Sequence, residues 1–257
     1  MKRSSWWLYT AGIAAYLFLY LPLVIVVVFS FNDSRLNAEW VGFTWHWYGV
    51  LFNDDQMIEA AWNSLLIGLV TSFISTVLGT LAGYAMYRYR LRLLPVLVLT
   101  PIAIPEILMG VSLLIFFVMI NLTLGMVSIV LSHIAFCIGF VAIVVRSRLT
   151  GLDESLTEAA RDLGATPWEA FRLVTLPLIM PGIVAGALMA FTLSIDDFVI
   201  TFFTAGPDSV TLPLQIYSMI KIAVTPEVNA VSTLLMLLTL VLIVIATRLA
   251  PGAVRGE

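Results

Sequence analysis

Charge is the scarcest property of this sequence. Of its 257 residues only 11% are charged, whereas 61% are hydrophobic and the mean hydropathy is +1.03. Soluble domains carry about 25% charged residues, so this composition excludes an ordinary soluble domain. The sequence therefore predicts an integral membrane protein that lies in a lipid bilayer.

Several chemical signatures are also missing. The only lysines, Lys2 and Lys221, do not follow a glycine, so no Gly-x-x-x-x-Gly-Lys-Ser/Thr phosphate loop is present. His46 and His133 are far apart and belong to no His-Glu-x-x-His helix, which gives no support to a metal site. The lone Cys137 cannot form an internal disulfide, and the Gly-x-Ser-x-Gly elbow of hydrolases is absent. We therefore expect neither a catalytic site nor a bound cofactor or metal in this chain.

Long apolar runs are abundant instead. A hydrocarbon core of about 30 Å needs about 20 apolar residues per helical span, and six runs of the sequence qualify. They are 8–30, 61–87, 94–120, 126–145, 179–203 and 228–249. The first run is too long for the apolar region of a signal peptide and no small-x-small cleavage site follows it, so we expect an uncleaved span. The predicted fold class is all-α, with six transmembrane helices in a single domain over 1–257.

Basic residues fall mainly in alternate loops between these runs. Lys and Arg collect on the cytoplasmic side of membrane proteins. With the N-terminus inside, only Arg35 and Lys221 of the 13 basic residues lie outside. The other eleven are Lys2, Arg3, Arg88, Arg90, Arg92, Arg146, Arg148, Arg161, Arg172, Arg248 and Arg255. This distribution predicts that both termini are cytoplasmic.

Three carboxylates lie inside the predicted spans: Glu106, Asp196 and Asp197. An Asp at the centre of a span costs about 2.5 to 3.5 kcal/mol, so such residues usually face a polar cavity and mark a substrate or ion path. At 1.5 Å per residue, Glu106 would lie about 18 Å and Asp196 about 22 Å from the cytoplasmic starts of their spans. No Lys or Arg in those spans can pair with them, which favours a bound cation.

The alternative is a structural role, in which these acids are neutral, hydrogen-bonded packing residues or lie at the outer interface. Neighbouring side chains on a helix point about 100° apart. We therefore expect Asp196 and Asp197 to differ in role, with one facing a cavity and the other capping or packing.

Two further patterns concern helix shape and packing. Pro101 and Pro105 precede Glu106 and should kink or open its helix, because proline lacks the backbone donor. Gly79 and Gly83 form a small-xxx-small pair that allows close approach of a neighbouring helix.

The polar insert at 146–178 is long for a connection between membrane helices. Good helix formers precede Gly164, which can end a helix in the left-handed conformation. Thr166, Pro167 and Glu169 then match the N-cap, N1 and N3 positions of a second short helix. Two short helices joined by a glycine turn would form a knob that fits a groove on another protein. An amphipathic helix on the membrane surface is the alternative, which the acidic first half of the insert disfavours.

At this insert the sequence resembles a known family. Its residues match the EAA signature of bacterial ABC-importer permeases, with Val174 in place of the usual Ile. The matching residues are Glu158, Ala159, Ala160, Gly164, Val174, Leu176 and Pro177. The resemblance implies that the insert contains the coupling helix, which enters a cleft on an ATPase subunit.

Other segments resemble the PotC-type permease subunits of spermidine/putrescine transporters, and together they cover nearly the whole chain. They are Ser30-Phe31-Asn32, Trp40-x-Gly42-Phe43-Thr44-x-x-Trp47-Tyr48, Glu158 to Gly164, Phe191-Thr192-Leu193-Ser194-x-Asp196-Asp197, Leu212-Pro213-Leu214-x-Ile216-Tyr217-Ser218 and Pro226-Glu227-x-Asn229-Ala230. Where this family commonly has Asp in the third span, the chain has Glu106.

The resemblance implies a type I ABC importer permease fold (MetI-like) in the bacterial cytoplasmic (inner) membrane. It also implies a PotB-like second permease, an ATPase dimer that binds ATP and magnesium, and an extracytoplasmic polyamine-binding protein. No nucleic acid is implied. Polyamines are linear polycations, which agrees with a substrate path lined by Glu106, Asp196 and Asp197.

Three other functions stay open at this point. The same architecture could import an opine-like compound, ferric iron or an oxyanion, although unpaired carboxylates would repel an anion. An intramembrane enzyme would need two carboxylates that converge on one substrate atom. Asp196 and Asp197 are adjacent residues of one helix, and such residues do not converge. A receptor or scaffold would not require buried carboxylates.

Overall fold

The computed structural model describes residues 6–34, 39–89 and 92–249. Over these residues regular structure is helical, apart from one isolated bridge between Asn32 and Phe43. The helices are α1 (Trp6–Phe29), α2 (His46–Leu51), α3 (Asp55–Arg88), α4 (Leu93–Ala103), α5 (Glu106–Met119), α6 (Met126–Thr150), α7 (Ser155–Asp162), α8 (Pro167–Ala170), α9 (Leu176–Ile195), α10 (Val199–Thr204), α11 (Leu212–Ile222) and α12 (Pro226–Leu249). The predicted all-α class is confirmed.

Four helical segments in the described residues are long and apolar enough to cross a membrane. They are α1, α3, α6 and the continuous helix Pro167–Ile195, and the pair α4 and α5 makes a fifth if it counts as one bent span. α12 contributes a shorter apolar segment, Pro226–Leu242. The count of six spans and the cytoplasmic position of both termini stay predictions. Five basic residues used for that orientation lie outside the described residues: Lys2, Arg3, Arg35, Arg90 and Arg255.

The chain divides into two compact units, of which the first contains Met1–Ile58 and Gln215–Leu238. Within it, the buried Asn32 organises the segment after α1. Its side-chain amide donates to the Glu39 carbonyl at 2.7 Å and its side-chain oxygen accepts from the Val41 N–H at 2.8 Å. The Trp47 indole N–H donates to the Asn32 carbonyl at 2.8 Å. These contacts fix the conformation of the segment between Glu39 and Trp47.

The second unit contains Glu59–Leu214 and Thr239–Glu257, and its core is built around α6. A Cβ added at Gly79 would lie 2.5 Å from Cβ of Val141, and one at Gly83 would lie 2.8 Å from the carbonyl oxygen of Ala142. Only glycine allows α3 to approach α6 this closely. The predicted small-xxx-small contact is therefore confirmed.

The two prolines interrupt the third apolar run, as their chemistry predicts. α4 contains Pro101, and the axes of α4 and α5 differ by 108° across Ile104 and Pro105. Ile104 and Pro105 are extended, each with ψ 133°. The expectation was one span over 94–120 with a kink or local opening at the prolines. The depth estimated for Glu106 assumed one continuous helix and does not apply, because this residue begins a second segment after the bend of 108°.

The structure also differs from the sequence prediction at both ends of the fifth apolar run, 179–203. A separate second short helix was expected in the insert, but α8 continues through a π-helical turn, Phe171–Thr175, into α9. The predicted span 179–203 is interrupted, because α9 ends at Ile195 and α10 begins at Val199. Caps fix where a helix begins, whereas its length depends on the packing of the apolar residues that follow.

Candidate functional site

Glu106 and Asp196 are exposed carboxylates at the two helix breaks. Glu106 is the first residue of α5, and Asp196 follows the last residue of α9. The two elements flanking these breaks are in contact, since a Cβ added at Gly110 of α5 would lie 2.6 Å from the Phe203 ring of α10. The segments at these two breaks, which carry two of the three acids predicted for the path, therefore pack against each other.

The dipoles of α5 and α9 affect these two carboxylates in different ways. A carboxylate at the N-terminus of α5 is favoured by the positive end of that helix, whereas Asp196 lies at the negative C-terminal end of α9. Two negative charges and a helix C-terminus form an electronegative position. Its chemical complement is a cation.

Asp197 has a different environment from its neighbour. Its side chain is only 6% exposed and accepts hydrogen bonds from the first turn of α10. The backbone N–H and the hydroxyl of Thr201 each donate to Oδ2 of Asp197 at 2.8 Å. The carboxylate thus satisfies donors that the start of a helix leaves unpaired.

His133 of α6 is the internal partner that sequence reasoning missed. Its side chain is 2% exposed, and its Nε2 lies 3.2 Å from Oδ2 of Asp197 and 2.9 Å from Oγ1 of Thr201. Its Nδ1 lies 2.7 Å from Oγ of Ser194. A neutral ring protonated at Nε2 donates on that side and accepts the Ser194 hydroxyl on the other, so both nitrogens are satisfied.

The prediction that the acids lack an internal cationic partner concerned only Lys and Arg. For Asp197, the structure supplies His133 as a hydrogen-bonding partner. The available signal was that a histidine in an apolar span needs polar partners. Sequence spacing could not find them, because the hydroxyl partners lie 61 and 68 residues away along the chain.

The knob, defined here as residues 155–170, carries the first part of the EAA-like signature. α7 includes Glu158, Ala159 and Ala160, and it ends before Gly164, whose φ is +94°. The Ala165 N–H donates to the Ala160 carbonyl at 3.1 Å, which closes the helix end. The predicted left-handed glycine is confirmed.

The start of α8 also agrees with the sequence. The Thr166 N–H donates to Oε2 of Glu169 at 2.8 Å, and the Glu169 N–H donates to Oγ1 of Thr166 at 3.3 Å, with Pro167 at the first helical position. These reciprocal bonds form the predicted capping box. Because the Glu169 carboxylate accepts from the backbone N–H and the hydroxyl of Thr166, its pKa lies below the ordinary value.

Four large apolar side chains are exposed on the knob and on the turn that follows it. They are Leu156, Leu163, Trp168 and Leu173, and Leu163 is 90% exposed. A cavity of about 240 Å³ lies beside them, and its charged lining residues include Arg88, Glu154, Glu158 and Arg161. Large exposed apolar groups next to charged ones are typical of a surface that binds another protein.

The remaining residues of the signature lie at the start of α9. Leu176 is half-buried against the core, whereas Pro177 is exposed. The Tyr87 hydroxyl of α3 donates to Oε1 of Glu154 at 2.6 Å, just before α7. The knob is thus connected both to α9 and to the end of α3. Within the described ranges no group of three or more His, Cys, Asp or Glu residues is arranged to hold a metal ion.

Comparison with known proteins identifies the family. Residues 75–253 match the model of the binding-protein-dependent transport system inner membrane component. The chain belongs to this family. It is therefore a multi-pass protein of the bacterial inner membrane, and the matched region contains both helix breaks and the whole knob.

Curated relatives include two permeases of Escherichia coli (strain K12). The spermidine/putrescine transport system permease protein PotC is 42% identical over 247 residues, which cover 95% of this chain and 94% of that protein. The putrescine transport system permease protein PotI is 41% identical over 244 residues, covering 91% of this chain and 86% of that one. The predicted resemblance to polyamine permeases is confirmed. These relatives are transport components rather than enzymes, in agreement with the sequence prediction.

Solved structures share the fold. A chain of a bacterial ABC transporter involved in import of the acidic polysaccharide alginate has a TM-score of 0.73 at 18% identity, covering 96% of this chain and 95% of that one. A chain of the inward-facing MetNI methionine ABC transporter has a TM-score of 0.67 at 23% identity, covering 79% of this chain and 100% of that one. At these identities the likeness concerns the fold alone, and it confirms the predicted ABC permease fold.

Proposed function

We propose that this chain is the permease subunit of an ABC importer for the polyamines spermidine and putrescine, and that it forms half of the translocation path. The observation that carries the proposal is the 42% identity to PotC over 95% of the chain. An opine-like compound, ferric iron or an oxyanion would fit the family, but the relatives named above are named for polyamines.

In this proposal Glu106 and Asp196 line the path. Both carboxylates are exposed, and each lies at an interruption of a helix. A polyamine carries several ammonium groups along one chain, so it can contact two carboxylates in succession. Asp197 lies beside the path and supports it, because its carboxylate is hydrogen-bonded to the start of α10 and lies close to His133.

Three partners complete the transporter. A PotB-like second permease supplies the other wall of the path, and an extracytoplasmic binding protein delivers the substrate. A dimer of ATPase subunits binds ATP and magnesium, so this chain itself needs no cofactor. The knob binds the ATPase through its exposed apolar side chains, with Gly164 setting the direction of the turn after α7.

Uptake of labelled spermidine and putrescine tests this function. The chain is expressed with its partner subunits in cells that lack their own polyamine importers, and Asp196→Asn and Glu106→Gln are compared with the parent. Losing a charged hydrogen-bond partner changes binding by roughly tenfold, so uptake at low substrate concentration should fall by about that factor. Glu59→Gln, which removes an exposed carboxylate of α3 that lies at neither break, serves as the matched control.

Two results would contradict parts of the proposal. Unchanged uptake in both variants would remove Glu106 and Asp196 from the path. An assembled, ATP-hydrolysing complex that imports no polyamine would exclude this substrate, and a screen of other small solutes would follow.

A further inference from the structure

His133 contacts both sides of the break that presents Asp196. One ring nitrogen lies 2.7 Å from the hydroxyl of Ser194, in the last turn of α9. The other lies 2.9 Å from the hydroxyl of Thr201, in α10. Three residues separate the two helices, and Asp196 is the first of them. A single side chain of α6 therefore bridges the helix ends between which the exposed carboxylate lies.

Asp197 makes this bridge more rigid. Its carboxylate is shared between the ring of His133, at 3.2 Å, and the backbone N–H of Thr201, at 2.8 Å. The exposed fractions of the His133 and Asp197 side chains are 2% and 6%. In such surroundings a polar group that loses its partner is not compensated by water, so the arrangement is strongly preferred over a loosened one.

The helix that carries His133 is itself firmly held. Ile129 and Cys137, one turn before and one turn after the histidine, are completely buried. Ser128 donates to the carbonyl of Thr204 at 2.7 Å, which fixes the C-terminal end of α10 to the same helix. α6 thus holds α10 at both ends and provides a rigid support for the break.

We propose that His133 is a positioning residue that, together with Asp197, fixes the break between α9 and α10 and so holds Asp196 towards Glu106. The importance of Asp196 for transport rests on the function proposed above, whereas the positioning itself does not. This assignment gives the two adjacent acids separate tasks. Asp197 is fixed by internal partners, and the carboxylate before it is left exposed.

A cross-linking experiment tests the positioning without relying on transport. Glu106→Cys and Asp196→Cys are combined with Cys137→Ala, which removes the chain's only cysteine. The rate at which a short bifunctional thiosulfonate joins the two cysteines is measured in the purified complex. Ile222→Cys, an 89% exposed position, reports ordinary thiol labelling as the control.

Two histidine variants each retain one of the two contacts that the ring nitrogens make. The amide of His133→Gln reaches the Nε2 position and retains a donor towards Asp197, whereas the amide of His133→Asn reaches only the Nδ1 position towards Ser194. We expect His133→Asn to lower the cross-linking rate roughly tenfold, as for loss of one hydrogen bond to a charged group. His133→Gln should retain most of the rate, and labelling at Ile222→Cys should not change.

Equal cross-linking rates in the parent and both histidine variants would overturn the proposal. If His133→Asn fails to assemble, Thr201→Val replaces it, because this change removes the hydroxyl partner of Nε2 while conserving shape. Cross-linking must then fall as well, and an unchanged rate would again overturn the positioning role.

Uptake by His133→Asn with both native acids separates this inference from the proposed function. Cross-linking that depends on His133 in a complex that imports no polyamine would leave the positioning intact and remove the substrate assignment. Polyamine uptake together with cross-linking that does not depend on His133 would support the substrate assignment and overturn the positioning role.

Discussion

The knob and the break at Asp196 interrupt helices in different ways. In the knob, Thr166 and Glu169 satisfy each other's backbone donors across three positions of sequence. At the break, His133 reaches partners 61 and 68 positions away. The knob is thus stabilised by neighbours in sequence, whereas the break exists only when α6, α9 and α10 are packed together. Changes in the knob should remain local, and changes in the packed helices should affect the whole unit.

The largest effect is expected where a long-range contact leaves no space. Gly83→Leu would place a Cβ 2.8 Å from the carbonyl oxygen of Ala142, an atom that cannot rotate away. Overpacking of this kind costs about 1 to 3 kcal/mol or more. We expect loss of monodisperse complex and a lower thermal midpoint in detergent. Gly12→Leu is the control, since no atom lies within 4 Å of its added Cβ; equal midpoints for both variants would contradict the close packing.

A smaller and local effect is expected at Gly164. Its φ of +94° is unfavourable for any residue with a side chain, although no atom lies within 4 Å of an added Cβ. Gly164→Ala should therefore cost about 1 to 2 kcal/mol in the turn. Membrane insertion should be normal, while copurification of the ATPase and substrate-stimulated ATP hydrolysis should decrease. Gly151→Ala provides the comparison, because Gly151 has an ordinary φ of −90°; equal coupling in the two variants would argue against the turn as the determinant.

The smallest effect is a pH dependence of the capping box. The pKa of Glu169 is lowered because its carboxylate accepts from the N–H and hydroxyl of Thr166. The ionised box thus stabilises the start of α8 above the ordinary pKa of Glu, and this contribution is lost as the pH falls through the lowered value.

Amide hydrogen exchange of the segment 163–175 in the intact protein measures this change. Protection relative to Glu169→Gln should decrease between neutral pH and about pH 3. The amide of the variant can accept the same bond but does not titrate. An identical pH response of the parent and Glu169→Gln would show that the carboxylate makes no such contribution.

The contrast between contacts among sequence neighbours and contacts made by packed helices explains which features could be predicted from the sequence. The left-handed Gly164 and the box at Thr166 and Glu169 follow from local stereochemistry, and the structure confirms them. Pro101 and Pro105 predicted an opening, but the bend of 108° depends on how α4 and α5 pack. The continuation of α8 into α9 could not be read from caps, since a cap determines a beginning and not an end.

At the candidate path, sequence reasoning found the acids but not their environments. The different directions of adjacent side chains indicated that Asp196 and Asp197 would differ, without showing which is buried. Local sequence could not identify the partners of His133, because only the packing of three helices brings them to it. The path role of Glu106, Asp196 and Asp197 stays a prediction, which the uptake experiment addresses.

The continuity of the helix from Pro167 to Ile195 gives it the properties of a lever. Its 29 residues extend about 43 Å at 1.5 Å per residue. The end at Pro167 is fixed by the Thr166 capping box, and the far end adjoins Asp196. A tilt of about 5° at the base would displace the far end by about 4 Å, enough to break a hydrogen-bonded contact between a carboxylate and an ammonium group. A small rotation of the knob would therefore be carried to Asp196 along one continuous helix.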